Sequence, residues 1–292
     1  MIPWHLDLGF FQRPWMEGLY FAIAILVAWW VAVQIMKQHK IDLINGEKLL
    51  MWSVASAFLG ARLSHFIFWQ PERFWDFFNP LLIGQGGFSI TGGLIGGFLG
   101  GYIYARVAKM DFYGVFARLS PAVLLGQAIG RIGCFLNGDA HGIATDLPWG
   151  VEFPRYGTTI PAFVQDTTRD SMAYTWALDN NHVASFNRTL PLHPTQLYEA
   201  IFDIALALGI WWLANYLLTN KKSAKIIFYI HTGGYAFYRA MSEYIRADRK
   251  VVLAFNTSLL QYTFFIFSAF AFVLIALEAI KLAKPESSLK TS

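Results

Sequence analysis

Apolar residues in this chain fall in blocks of about 20, set apart by short clusters of charge. About 20 such residues in a helix cover the ~30 Å hydrocarbon core of a bilayer. Seven blocks predict membrane helices at Glu17–Met36, Leu49–Trp69, Ile90–Val107, Phe112–Phe135, Gln196–Leu218, Lys225–Ile245 and Leu259–Ile280. The expected fold class is an all-α integral membrane protein with seven transmembrane helices and a small extracytoplasmic cap. Residues 1–292 form a single polytopic membrane domain on this reading. The cap is the insertion 137–193 between the fourth and fifth helices, too rich in Gly, Pro, Asp and Asn to cross a bilayer. Trp149, Val151 and Phe153 alternate ahead of Pro154 there, the pattern of a short strand.

Charge then sets the orientation. Lys37, Lys40 and Lys48 are placed in the first loop, Arg106 and Lys109 in the third, and Lys221, Lys222 and Lys225 in the fifth. Lys281, Lys284 and Lys290 close the tail. Excess Lys and Arg mark the cytoplasmic side, so the N-terminus is expected outside and the C-terminus inside, with Thr167 outside and Lys222 and Lys284 inside. Ahead of the first block, Trp4, Phe10, Phe11 and Trp15 stand among polar residues. That pattern predicts an interfacial segment, without the basic leader of a cleavable signal peptide.

Composition agrees and narrows the classes. The chain is 55% hydrophobic and 14% charged, with a mean hydropathy of +0.41, which excludes an ordinary soluble domain. The net charge of +4 is spread through the loops, so it reads as topology and not as a nucleic-acid surface. A single cysteine, Cys134, leaves no intramolecular disulfide and no cysteine metal cluster. No internal repeat of the transporter kind is present.

Polar groups inside apolar blocks carry the chemistry, because each is costly there. Gly130-Arg131-Ile132-Gly133-Cys134-Phe135-Leu136-Asn137-Gly138-Asp139-Ala140-His141-Gly142 ends the fourth block. An arginine at membrane depth costs roughly 2.5 kcal/mol or more, and glycine permits close approach and positive φ. The stretch therefore predicts a cationic notch beside a tight turn, suited to a phosphate; the alternative is an arginine snorkelling from a helix end. Glycines 92, 93, 96, 97, 100 and 101 make one face of the third helix nearly bare backbone, for tight helix packing or for a groove that admits lipid. Arg62 and His65 share a face of the second helix. Tyr235, Arg239, Glu243 and Arg246 form a stripe in the sixth, in which Glu243 can pair with either arginine. Glu199 lies in the first turn of the fifth, after Pro194 and Thr195, where the helix dipole favours a carboxylate.

Four motifs together resemble the phosphatidylglycerol–prolipoprotein diacylglyceryl transferase family. Gly130 to Gly142 resembles its signature Gly-Arg-x-Gly-Asn-Phe-x-Asn-x-Glu-x-x-Gly. Pro191-Leu192-His193-Pro194-Thr195-Gln196-Leu197-Tyr198-Glu199 is similar to its His-Pro-Ser-Gln-Leu-Tyr-Glu segment. Gly86 to Gly96 is similar to its glycine-rich third helix, and Tyr235 to Arg246 to its Tyr-x-x-x-Arg-x-x-x-Glu-Phe-x-Arg helix.

The resemblance implies transfer of the diacylglyceryl group of phosphatidylglycerol to a lipobox cysteine thiol. The reaction belongs to lipoprotein maturation at the outer face of the bacterial inner membrane. Partners are then phosphatidylglycerol, prolipoprotein lipobox peptides and membrane lipids, with no nucleic acid, and no metal or other cofactor is expected. The implied catalytic residues are Arg131, Arg239, His193 and Asp139. Gly130, Gly133, Asn137, Gly142, Thr91, Glu17, Arg62, Tyr235, Glu243 and Arg246 are the implied substrate contacts. The chain departs from the family pattern at four of these positions or their neighbours: Cys134 replaces the signature asparagine and Asp139 the glutamate. Thr91 stands where the family places a histidine, and Glu17 where it places a tyrosine. His141, His193 or Glu17 is left to take the thiol proton. A paralogue that binds phospholipid without transfer, or that uses another acceptor, is the alternative reading.

Overall fold

The computed structural model describes residues 4–5, 16–68, 70–79, 88–155, 171–185, 188–220, 222–247 and 257–283. Its long helices are α1 (Met16–Gln38), α2 (Leu43–Phe68), α3 (Ile90–Val107), α4 (Phe112–Asn137), α6 (Thr195–Thr219), α7 (Lys225–Ser242) and α8 (Leu259–Ala283), with a short α5 (Met172–Asp179). Each long helix occupies one of the predicted apolar blocks. Segments Gly18–Gln38, Leu43–Ile67, Phe112–Asn137, Thr195–Thr219 and Leu260–Leu282 are long and apolar enough to cross a membrane. The two 18-residue helices, α3 and α7, are not in that set. Large apolar side chains point outward, among them Leu26, Trp30, Leu208, Trp212, Ile266 and Phe270, while Gln196, Glu199 and Asp203 are buried. That arrangement suits lipid and not water as the surrounding solvent. The protein is a multi-pass membrane protein.

Helix ends differ from the apolar pattern where capping and snorkelling take over. The first loop keeps only Lys40 of its three predicted lysines, since Lys37 lies in α1 and Lys48 in α2. Asp42 is the reason that α2 begins six residues early: its carboxylate accepts from the backbone N–H of Ile44 at 3.0 Å and of Asn45 at 3.3 Å, the work of an N-cap. Thr167 and Lys284, used above as topology markers, lie outside the described residues.

The chain divides into two compact units, Trp29–Leu119 and Met1–Ala28 with Ser120–Ser292. Helix packing dominates the first. Gly92, Gly96 and Gly100 of α3 face Gly60, Ser64, Ser56 and the Trp52 carbonyl of α2, and Gly93, Gly97 and Gly101 face Ala61, Ala57 and Ser53. Both helices thus present small residues, and the bare face is filled by its neighbour; it is a packing seam and not an open groove. A Cβ at Gly96 would meet the carbonyl oxygen of Ser56 and the Cα of Gly60, backbone that cannot move aside. Gly96→Leu should therefore cost about 1–3 kcal/mol or more, read as a lowered unfolding temperature in detergent; an unchanged temperature would refute the tight seam.

Arg62 also belongs to this unit. Its Nε donates to the Phe77 carbonyl at 3.2 Å, and its Nη2 to those of Asp76 and Asn79 at 3.1 and 3.2 Å. These carbonyls end a 3-10 segment, Pro71–Phe78, whose backbone has no helical partners of its own there. The guanidinium also lies over the rings of Phe66 and Phe88.

In the second unit, α6 meets α7 through Phe202 and Tyr238, stacked with centroids 4.0 Å apart. Gly233 of α7 packs on Ala271 of α8. The cap is small. Strand β1 (Trp4–His5) pairs in parallel with β2 (Val151–Glu152); Phe10, Phe11 and Trp15 of the expected interfacial segment lie outside the described residues. Strand β3 (Val183–Ser185) pairs antiparallel with β4 (Arg188–Thr189). Val151, Phe153, Ala173 and Leu192 form the cap's core, with Phe135 and Trp176 against them.

Candidate active site

The signature stretch is helical for longer than its glycines suggest. α4 continues through Gly130 and Gly133 to Asn137, and only then does the chain turn, with Gly138 at φ +74° and Ala140 at φ 55°. Of the four signature glycines only Gly138 has a positive φ, a conformation that lacks the Cβ clash there. Gly133 packs on Tyr20 of α1, and Gly142 on His193 and the Ile245 carbonyl. Among the described residues a Cβ at Gly130 would meet nothing within 4 Å, so of these three glycines it is the one with open space beside it.

The turn is tied to the two helices that follow it in the site. The Thr195 hydroxyl donates to the Ala140 carbonyl at 2.6 Å, and the Gln196 amide to the Asp139 carbonyl at 2.6 Å. The Gly142 N–H donates to the His193 carbonyl, and Ile143 N–H to that of Ile245. Gly142 and Arg246 form an isolated antiparallel bridge. The end of α4 is thereby fixed against the start of α6 and the end of α7.

Three arginines meet there. Arg131 Nε lies 2.5 Å from Glu199 Oε2, and Arg246 Nη1 lies 3.5 Å from Glu199 Oε1. Arg239 Nη1 donates to Glu243 Oε2 at 2.6 Å, and Arg246 Nε is 3.9 Å from the same oxygen. Ser242 links the two pairs, accepting from Arg239 at 3.3 Å and reaching Glu199 at 3.5 Å. The Tyr235 hydroxyl is hydrogen-bonded to Arg131. All three arginines are largely buried. The pairing of Glu243 with Arg239 is structural and also holds that cation in place. Such a cluster is built to receive an anion through bidentate guanidinium bonds.

His193 lies just before the start of α6. Its Nδ1 is 3.2 Å from the Tyr198 hydroxyl, which accepts from Trp149 Nε1 at 2.8 Å. Burial pushes His193 below the ordinary histidine value, so it stays neutral at neutral pH. His141, the other candidate base, is 2% exposed and packs against Phe153 and Trp176 in the cap, which makes it a core residue. Asn137 and Asp139 flank the turn, half-buried, and both have further partners. Thr91 lies in the first turn of α3 and Glu17 in that of α1, and their side chains are outside the described residues.

A family model described as prolipoprotein diacylglyceryl transferase matches residues 4–277 of the chain. The chain belongs to that family. Phosphatidylglycerol–prolipoprotein diacylglyceryl transferase of Thermosynechococcus vestitus is 29% identical over 248 residues, covering 83% of this chain and 81% of its own. Phosphatidylglycerol–prolipoprotein diacylglyceryl transferase 1 of Clostridium perfringens is 30% identical over 248 residues, covering 85% and 84%. A relative from Leptothrix cholodnii is 28% identical over 284 residues, covering 89% and 90%.

Two carboxyls on α6 are central to the arginine cluster's surroundings. Glu199, expected to answer the helix dipole, also binds Arg131 and Arg246. Asp203, one turn further along α6, is 1% exposed and is not among the residues expected from the sequence. Its signal was available: two acids four apart share one face of a helix inside an apolar block.

Proposed function

We propose that the protein transfers the diacylglyceryl group of phosphatidylglycerol to the lipobox cysteine of prolipoproteins, at the outer face of a bacterial inner membrane. The observation that carries this reading is the cluster of Arg131, Arg239 and Arg246 around Glu199 and Glu243, a receptor for one phosphate at the end of three helices. The Lys and Arg bias supports seven spans with the N-terminus and cap outside and the C-terminus inside.

In the reaction, the peptide's thiolate attacks the glyceryl carbon that bears the phosphate. The carbon–oxygen bond breaks, its electron pair stays on the phosphate oxygen, and glycerol phosphate leaves. Arg131 and Arg239 hold the phosphate as its charge grows, Arg246 and Tyr235 support them, and the opening beside Gly130 admits the donor. Asn137 and Asp139 orient the headgroup. The acceptor supplies its own sulfur, so buried Cys134 has no part as a nucleophile. Neutral His193 takes the thiol proton.

The deciding assay incubates the purified protein with phosphatidylglycerol and a lipobox peptide. A mass gain of one diacylglyceryl unit on the peptide supports transfer; bound lipid without that gain supports the lipid-binding alternative, which the Thr91 and Cys134 departures favour.

For the base, His193→Gln should lower the rate at pH 7 by about 10²-fold, the low end for general-base loss. The deficit should shrink towards pH 8.5, about where a free thiol ionises unaided. A deficit that is constant with pH would assign His193 to binding instead.

A further inference from the structure

Three side chains form a hydrogen-bonded chain between the cap and the start of α6. Trp149 Nε1 donates to the Tyr198 hydroxyl at 2.8 Å, and that hydroxyl lies 3.2 Å from His193 Nδ1. An indole nitrogen is a donor only, so towards Trp149 the tyrosine oxygen accepts. Its own proton is left to donate, and His193 Nδ1 is the acceptor within reach. Among the described residues Tyr198 has no further hydrogen-bond partner. With Nδ1 accepting, neutral His193 carries its proton on Nε2. The lone pair that can take a proton therefore lies behind the tyrosine hydroxyl.

The backbone holds His193 in this place. Its N–H donates to the Ile143 carbonyl at 3.0 Å, and its carbonyl accepts from the N–H groups of Gly142 and Thr195, each at 2.9 Å. Among the described residues no charged group is hydrogen-bonded or ion-paired to either ring: His193 meets Tyr198 and cap backbone, and Tyr198 meets Trp149. Tyr198 is half-buried and Trp149 is 50% exposed, so a peptide has access to the hydroxyl. Tyr198 also directly precedes Glu199, the partner of Arg131, which puts it in the same helical turn as the phosphate cluster.

We propose that Tyr198 is a catalytic residue, taking the proton of the acceptor thiol while its own proton passes to His193 Nδ1. This rests on the reading of His193 as the base given above. The S–H proton moves to the phenol oxygen and the O–H proton to Nδ1, and the S–H electron pair stays on sulfur. The two protons move together, so Tyr198 remains a neutral phenol and His193 becomes imidazolium. The thiolate then attacks the glyceryl carbon, and the carbon–oxygen electron pair leaves with the phosphate. Once product has gone, the extra proton returns through Tyr198 to solvent, which restores the starting chain.

The test compares transfer rates, at saturating phosphatidylglycerol and lipobox peptide, in wild type, Tyr198→Phe, His193→Gln and the double variant. Phenylalanine keeps the ring and removes the hydroxyl. Tyr198→Phe should be slower by about 10²-fold at pH 7, as His193→Gln should. The double variant should fall no further, because either loss breaks one shared path. Both deficits should shrink towards about pH 8.5, where a free thiol ionises unaided. In mixtures of light and heavy water, the wild-type rate plotted against deuterium fraction should bow downwards, since two protons are in flight, and both single variants should lose the bow. Wild-type rates in Tyr198→Phe, a deficit there that is constant with pH, or losses that multiply in the double variant would overturn the relay and leave His193 as a direct base. A straight plot for the wild type would do the same. Wild-type rates in His193→Gln would remove the base assignment and the relay together. The wild-type plot decides the point even if the phenylalanine variant does not fold.

Discussion

Arg131→Gln should reduce transfer by about 10³–10⁵-fold, the range seen when an arginine that stabilises charge on phosphate is lost. Arg131 pairs with Glu199 through Nε at 2.5 Å and is hydrogen-bonded to Tyr235, and on the reading above it also holds the donor's phosphate. Glutamine keeps a hydrogen-bond donor but loses both the charge and the fork. Arg131→Lys separates the two: it restores the charge without the bidentate geometry and should recover only part of the loss. Rates with phosphatidylglycerol and a lipobox peptide measure this, and the exposed Arg73, paired to Asp76 at 2.7 Å, serves as a control that tolerates alanine. Wild-type rates in Arg131→Gln would remove the phosphate role and leave Arg131 as a structural partner of Glu199.

Glu199→Ala should destabilise the protein by about 3–5 kcal/mol, because one substitution leaves two buried cations short of their counter-charge. Glu199 is 3% exposed and lies against both Arg131 and Arg246. Arg246 retains a weaker pair with Glu243 at 3.9 Å, so Arg131 bears most of the effect. Glu199→Gln keeps the shape and an acceptor oxygen and should cost less. Unfolding temperature in detergent reads the order wild type, glutamine variant, alanine variant. If the alanine variant were as stable as wild type, Glu199 would carry no net structural load.

Both predictions concern residues whose meaning changed between chain and fold. Arg131 was conspicuous from sequence because a cation at membrane depth needs a reason. Glu199 looked like a helix-start acid, since its position in the first turn fits a local electrostatic account. The pairing of these two spans 68 positions, and no local pattern reports it. Similarly, the glycines of the signature promised a bent backbone, but α4 runs on through two of them and bends at Gly138 and Ala140. The reason is tertiary: the cap's bridges to His193 and Ile245 decide where the helix stops.

By itself, the sequence determined that the chain is helical, that its apolar blocks meet lipid, and which motifs cluster near the ends of those blocks. Those features follow from hydropathy, helix period and capping, which are local and strong. The seam of α2 and α3 was half-legible, because small residues every four positions permit close packing without naming the partner. Only the tertiary structure decided that α2 fills the glycine face, that Arg62 binds the backbone carbonyls of a 3-10 turn, and that Glu199 joins two arginines. It also exposed Asp203 as a buried carboxyl whose Oδ1 has no hydrogen-bond partner among the described residues. Ion pairs and buried polar groups are set by which helices lie side by side, and in an apolar bundle that choice is made by close packing across distant parts of the chain.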